Sequence, residues 1–211
     1  LEKAGLIWVT IDPKSPLDIQ LFLSGYDELL AHFGFEKWHH FASQVVEGPN
    51  WKIAYDGYLD LYHLPILHKD TFGSDFPNQA IYYSWGPHQR VAGPMKGMAK
   101  LLGDSEEDWP TEYLTAGVWT IFPHISIAGF DGGGRAVMLS QLFPGETPGT
   151  SYTVQHYLMA EEPKDEATVK AARDQLDFLR YVVAEEDYAT GLKQQKAMET
   201  GAKEHVLFGR N

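Results

Sequence analysis

The residues best able to do chemistry lie in one short run, Asp56-Gly57-Tyr58-Leu59-Asp60-Leu61-Tyr62-His63-Leu64-Pro65-Ile66-Leu67-His68. If that run is helical, Asp56, Asp60 and His63 stand at i, i+4 and i+7 and share one stripe. Asp60 is then placed to accept the His63 Nδ1–H, fixing the tautomer and leaving Nε2 free as a metal ligand. Asp56 would support the same stripe from behind. His68 comes five residues after His63, about 140° round an unbroken helix, which is a poor angle for chelation. Pro65 is expected to end the helix near His63 and let the chain turn His68 back. Two neutral imidazoles and one carboxylate make the facial triad of a non-haem Fe(II) site, with positions open for dioxygen and water.

The third donor must come from elsewhere, because Asp60 is occupied with His63. A long helix is predicted from Pro163 to about Met198, with Val169, Ala172, Leu176, Leu179 and Val183 on its inner face. Glu185-Glu186-Asp187 falls near its far end. By the helical step of about 100°, Asp187 lies on the apolar face, Glu185 on the opposite face and Glu186 between them. An acid on a buried face needs a partner, and a metal ion would be one. Asp187 is therefore the candidate third ligand.

The rest of the chain supplies a frame for these residues. Asn50 is a good N-cap, and Trp51, Ala54, Tyr58 and Leu61 recur on one helical face behind it. Leu6-Ile7-Trp8-Val9 reads as a strand, Asp27–His32 as a short helix and Phe41–Val46 as an apolar stretch. Ile81–Trp85, Gly117–Phe122, Ile125–Phe130, Ala136–Phe143 and Ser151–Met159 read as antiparallel strands, with a hairpin turn at Asp131-Gly132-Gly133-Gly134. Residues 93–111 have little periodicity and are expected to form a loop or lid. The order implies an α+β fold, one twisted antiparallel sheet packed against a long C-terminal helix, in a single domain over residues 1–211.

Composition narrows the chemistry. Seventeen Lys+Arg against 29 Asp+Glu give a net charge of −12 in 211 residues, which argues against nucleic acid and against an anionic membrane surface. No apolar run spans a bilayer, and no signal peptide opens the chain, so a cytoplasmic protein is expected. With no Cys, disulfides, thiolate zinc sites, Cys-ligated iron–sulfur clusters and thiol nucleophiles are all excluded within this chain.

Asn50-Trp51-Lys52, then Asp60-x2-His63-x4-His68, then an aspartate after a long gap, resembles the catalytic domain of Rieske-type ring-hydroxylating oxygenase α subunits. The resemblance extends from Gly5-Leu6-Ile7-Trp8-Val9 to Phe208-Gly209-Arg210-Asn211. It implies a helix-grip (START-like) fold, mononuclear iron on His63, His68 and Asp187, and Asp60 as the bridging acid that receives electrons from a neighbouring subunit. It also implies a homotrimer, O2 and a small organic substrate, an aromatic one in the first instance, as in aromatic hydrocarbon catabolism. Electrons would come from NAD(P)H through a reductase or ferredoxin. Dihydroxylation, monohydroxylation and demethylation share these ligands. The family's 2Fe–2S cluster needs Cys and His ligands, so the Rieske domain is expected upstream of this segment, which reads as a fragment. On the strands, Trp119, Phe122, His124, Phe130 and Tyr157 are substrate-pocket candidates, with Met95, Met98 and Leu101 in the lid; for each taken singly, plain core packing is the favoured reading. The rival readings are a metal-free helix-grip module binding an apolar ligand, a zinc hydrolase using the same ligands, and a structural subunit.

Overall fold

The computed structural model describes residues 1–73, 76–93, 96–109, 117–202 and 205. The chain opens with a two-residue hairpin, β1 (Glu2–Lys3) and β2 (Leu6–Ile7), shorter than the strand expected there. Two short helices follow, α1 (Ile19–Leu23) and α2 (Tyr26–Ala31). Next come β3 (His39–Gly48), α3 (Trp51–Leu59) and the single-turn α4 (Leu64–Leu67). Strands β4 (Ile81–Trp85), β5 (His88–Ala92), β6 (Val118–Ile121), β7 (Ile125–Phe130), β8 (Ala136–Pro144) and β9 (Ser151–Met159) lead into the C-terminal helix. That helix has three parts: α5 (Glu166–Tyr181), a π-helical segment (Val182–Tyr188) and α6 (Ala189–Glu199).

Among the described residues the main sheet has seven strands, all pairings antiparallel, in the order β3-β9-β8-β7-β6-β5-β4. The α+β expectation holds, and β3 and β5 join the strands read from sequence. Registers define two faces, because side chains alternate along a strand. Trp119, Ile121, Ile127, Val137 and Leu139 pack under Tyr26, Leu30, Phe33 and Phe35 of the N-terminal layer. Ala136, Met138, Tyr157 and Met159 pack under Ala172, Leu176 and Leu179 of α5. Central β8 is covered on both sides, which is why it reads as a nearly continuous apolar run. Val169, expected on the inner face of the long helix, is exposed, so the seam begins at Ala172.

His88 is fully buried in the N-terminal layer. Its Nε2–H donates to the Phe22 carbonyl at 2.8 Å, and its Nδ1 accepts the Phe122 N–H at 3.2 Å. The ring stands edge-on to Phe22 and stacks on Tyr26. Burial lowers its pKa, outweighing the Phe22 carbonyl, which acts in the opposite direction. A neutral histidine held this way contributes nothing to pH dependence above the unfolded value. Below about pH 6.5 the unfolded chain takes up a proton that the folded chain refuses, so stability falls. The urea midpoint is expected to drop between about pH 7.5 and about pH 5.5, and His88→Gln should flatten that drop; an equal drop in the variant would rule His88 out as its source.

Candidate metal centre

The helix over the motif ends earlier than the sequence pattern implies. α3 starts on Asn50, whose side chain accepts the Lys52 N–H at 2.9 Å, and stops at Leu59. Asp60 is extended (φ −118°, ψ 122°), and its Oδ1 accepts the Tyr62 N–H at 2.6 Å. That local bond competes with the next helical turn and ends the helix. The single stripe of Asp56, Asp60 and His63 therefore does not form: Asp56 is exposed on α3, while Asp60 and His63 lie beyond its end. Pro65 also acts differently from the expectation. It sits in the first turn of α4, where its missing N–H costs nothing, so it opens a helix rather than closing one.

His63 and His68 flank α4 as its two caps. The His63 carbonyl accepts from Ile66 and Leu67, and the His68 N–H donates to the Leu64 carbonyl at 3.1 Å. One turn of helix thus brings both rings to the same side, their centroids 5.1 Å apart. The chain after His68 doubles back, with the Gly73 N–H donating to the His68 carbonyl at 2.8 Å. A Cβ on Gly73 would overlap the Leu64 carbonyl oxygen.

Asp187 meets the two rings from the C-terminal helix. Its Oδ1 lies 3.4 Å from His63 Nε2 and 3.1 Å from His68 Nε2. Donor atoms of His63, His68 and Asp187 all lie within 4.8 Å of one another. Donors about 2.1 Å from a common ion lie about 3.0–3.4 Å apart in facial or tetrahedral geometry, a spacing the aspartate already has from each ring, so the set closes on one metal if its widest separation contracts by about 1.5 Å. The residue types suit Fe(II), Zn(II) and related ions, and three donors leave coordination positions open.

The π segment determines which acids face inward. The Ala189 N–H reaches back five residues to the Ala184 carbonyl, widening the turn. Asp187 and its neighbour Glu186 then both reach His68, from opposite sides of the ring. Glu186 Oε2 lies 2.6 Å from His68 Nδ1. Glu186 was read from sequence as intermediate, since a uniform α-step cannot foresee a π turn; no sequence signal marks it beyond its place beside Asp187. Tyr188 anchors the segment to the sheet, its hydroxyl 2.5 Å from Thr153 Oγ1. Its ring lies so close over Gly48 that a Cβ there would come within 2.6 Å of it.

Burial opposes protonation of His68, but hydrogen bonds and charge from Asp187 and then Glu186 prevail and raise its pKa above the ordinary imidazole value. Burial likewise works to raise Asp187, but hydrogen bonds from His63 and His68 pull its pKa below the usual carboxylate value. Asp60 is placed differently from the expected hydrogen bond: its Oδ2 is 4.0 Å from His63 Nδ1, beyond bonding distance, and its side chain is half exposed.

The expected pocket residues separate. Trp119 faces the N-terminal layer, on the sheet side away from α5, and is corrected to a core residue. Phe130 and Tyr157 are on the α5 side, and the Tyr157 hydroxyl donates to the Gly132 carbonyl. Phe122 is exposed, His124 packs its ring on Phe143, and Met98 and Leu101 lie in a short 3-10 helix, Lys96–Leu101. Met95 and the terminal Phe208-Gly209-Arg210-Asn211 lie outside the described residues. The sequence reading missed a buried polar row on the helix side: Thr120, Ser126, Ser140 and Gln155 pair strand to strand across β6, β7, β8 and β9.

A family model described as "Ring hydroxylating alpha subunit (catalytic domain)" matches residues 35–211. A search of curated proteins finds no match. Among solved structures, the chain resembles the quaternary ammonium Rieske monooxygenase CntA in complex with an inhibitor, at 16% identity and a TM-score of 0.71, covering 94% of this chain and 51% of that one. The same monooxygenase with L-carnitine gives 16% identity and a TM-score of 0.70, covering 94% and 50%. A quaternary ammonium Rieske monooxygenase described for carnitine oxidation by gut microbiota gives 18%, 0.70, 94% and 52%. At these identities the likeness establishes the fold, and the chain spans about half the length of those structures.

Gly73→Ala is expected to push the turn off the Leu64 carbonyl and destabilise the chain by about 1–3 kcal/mol; thermal melts check it, and an unchanged melt would contradict the packing described.

Proposed function

Because the chain belongs to the family of ring-hydroxylating α-subunit catalytic domains, we propose that it is the mononuclear-iron domain of a Rieske non-haem oxygenase. The observation that carries this reading is the convergence of His63, His68 and Asp187 on one point from α4 and the C-terminal helix. A metal-free binding module gives no reason for one partly buried aspartate to face the Nε2 atoms of two imidazoles at once.

His63 and His68 would each offer Nε2, and Asp187 a carboxylate oxygen. Iron bound there supplies oxygen activation for hydroxylation of a small organic substrate, whether dihydroxylation, monohydroxylation or demethylation. The chain's own residues position and shield. His68 is 1% exposed and stacks on Phe72 at 4.8 Å, which closes its side of the site to water. His63 is 22% exposed and turns its Nδ1 toward half-exposed Asp60, the side from which electrons would enter. Asp60 would carry that path by hydrogen bonding to His63 after a small side-chain rotation. Phe130 and Met98 remain the proposed apolar contacts for substrate, while Tyr157, with no exposed surface in the α5 seam, packs as a core residue.

The cluster that feeds this site would sit in a Rieske domain outside this sequence, because the chain has no Cys to hold one. O2, a reductase or ferredoxin and NAD(P)H complete the proposed system, in a trimer and in the cytoplasm. No helix among the described residues is long and apolar enough to cross a membrane.

The chain is expected to take up about one Fe(II) under anaerobic conditions. His63→Ala, His68→Ala and Asp187→Ala should each weaken uptake by more than the ~10–100-fold typical of losing an outer partner. Unchanged metal content in all three variants rejects the assignment. Turnover is expected only when a Rieske domain is added to the chain, reductase and NAD(P)H; product formed without it would refute the electron route.

A further inference from the structure

The two imidazoles are held in different ways. His63 has no hydrogen-bonded partner at Nδ1 within 3.5 Å in the contacts described, since Asp60 stands 4.0 Å off. His68 is gripped on both nitrogens: Asp187 Oδ1 lies 3.1 Å from Nε2, and Glu186 Oε2 lies 2.6 Å from Nδ1. Its ring stacks on Phe72 with an interplanar angle of 21°. Glu186 is itself anchored. The Thr71 hydroxyl lies 3.1 Å from Glu186 Oε2 and 3.1 Å from the His68 carbonyl, tying the carboxylate to the turn that follows α4.

An ionised carboxylate can only accept hydrogen bonds, so the short contact requires the proton on Nδ1. Nε2, which meets the other carboxylate at Asp187 Oδ1, is then the nitrogen whose proton a metal would displace, while Nδ1–H stays with Glu186. Charge points the same way. A divalent ion with two neutral imidazoles and one aspartate carries one net positive charge, and a second carboxylate one residue away brings the cluster to neutrality. Burial favours a neutral cluster, because uncompensated charge in a low-dielectric setting is costly.

We propose that Glu186 is the positioning residue of the metal centre, holding His68 in the Nδ1–H tautomer with Nε2 aimed at the ion and balancing the ion's charge, with Thr71 fixing the carboxylate in place. His68 is then the preorganised ligand, and His63 is the one that adjusts. The inference rests on the reading of His63, His68 and Asp187 as metal ligands.

The test uses the whole chain with Zn(II) as probe, followed by titration calorimetry and by ¹⁵N-histidine NMR with and without metal. Glu186→Ala is expected to weaken Zn(II) binding ~10–100-fold and to abolish the slowly exchanging His68 ring proton in both states. Glu186→Gln keeps an acceptor oxygen but removes the charge; it should restore the ring proton while recovering only part of the affinity. Thr71→Val should speed exchange of that proton. Glu185→Ala, at an exposed neighbour, serves as control and should match the parent chain. Parent-like affinity and exchange in Glu186→Ala, or an equal loss in Glu185→Ala, overturns the proposal. Failure of the parent chain to bind Zn(II), with the ring proton still dependent on Glu186, would sink the metal reading and leave the hold on His68 standing; loss of that dependence as well would sink both.

Discussion

One carboxylate oxygen, Asp187 Oδ1, faces the Nε2 atoms of two histidines from a distant part of the chain. Three polar side chains drawn together in a partly buried place are unfavourable unless they compensate one another. Each ring pulls the acid's pKa down, and the acid in turn raises that of His68 against the effect of burial. The sheet, the two helical layers and the tight turn at Gly73 serve to keep this contact in place.

Rigidity at the site comes from different sources on its two sides. On one side α4 is a single turn, too short to be stable alone, and is secured by its caps and the chain folding back at Gly73. On the other side the acids ride on a helix clamped to the sheet by the Ala172, Leu176 and Leu179 seam and by the bond between Tyr188 and Thr153. Gln44 adds a polar tie, its Nε2 donating to Gln155 Oε1 and to the Leu176 carbonyl at 2.8 and 3.0 Å. A short element therefore meets a long one, and the long one carries the register.

Much of this was legible in the sequence because it depends on local pattern. Asn50 as a cap, the alternation of β9 and the apolar seam of α5 are each set by neighbours within a turn or a strand. The meeting of His63, His68 and Asp187 was legible too, since an acid on the inner face of the long helix called for a partner. What failed depended on competition between local bonds. Asp60 ended α3 by capturing the Tyr62 N–H, and Pro65 began a helix because the chain had already left the previous one. Trp119 could be read as pocket or core because an aromatic residue on a strand covered on both sides fits either face, and strand register alone decides between them. β5 carries histidine, glutamine and arginine and so lacks the apolar signature of a strand, while in β3 the flanking polar residues hide how far the apolar stretch Phe41–Val46 extends.

The seven-residue π segment also divides the C-terminal helix into two phases. Ahead of it the inward positions step Ala172, Leu176, Leu179, Val183 in α-helical rhythm; the next buried side chain is Tyr188, five places on, followed by Gly191 against Pro49. A helix in uniform rhythm would have spent its next inward position, Asp187, on the hydrocarbon seam. The slip of one residue lets a tyrosine take over the packing while the aspartate keeps its inward aim a little to one side. The same wide turn thus relieves the core of a charge and hands that charge to the histidines, so a single-residue deletion here would set the seam and the aspartate competing for one position.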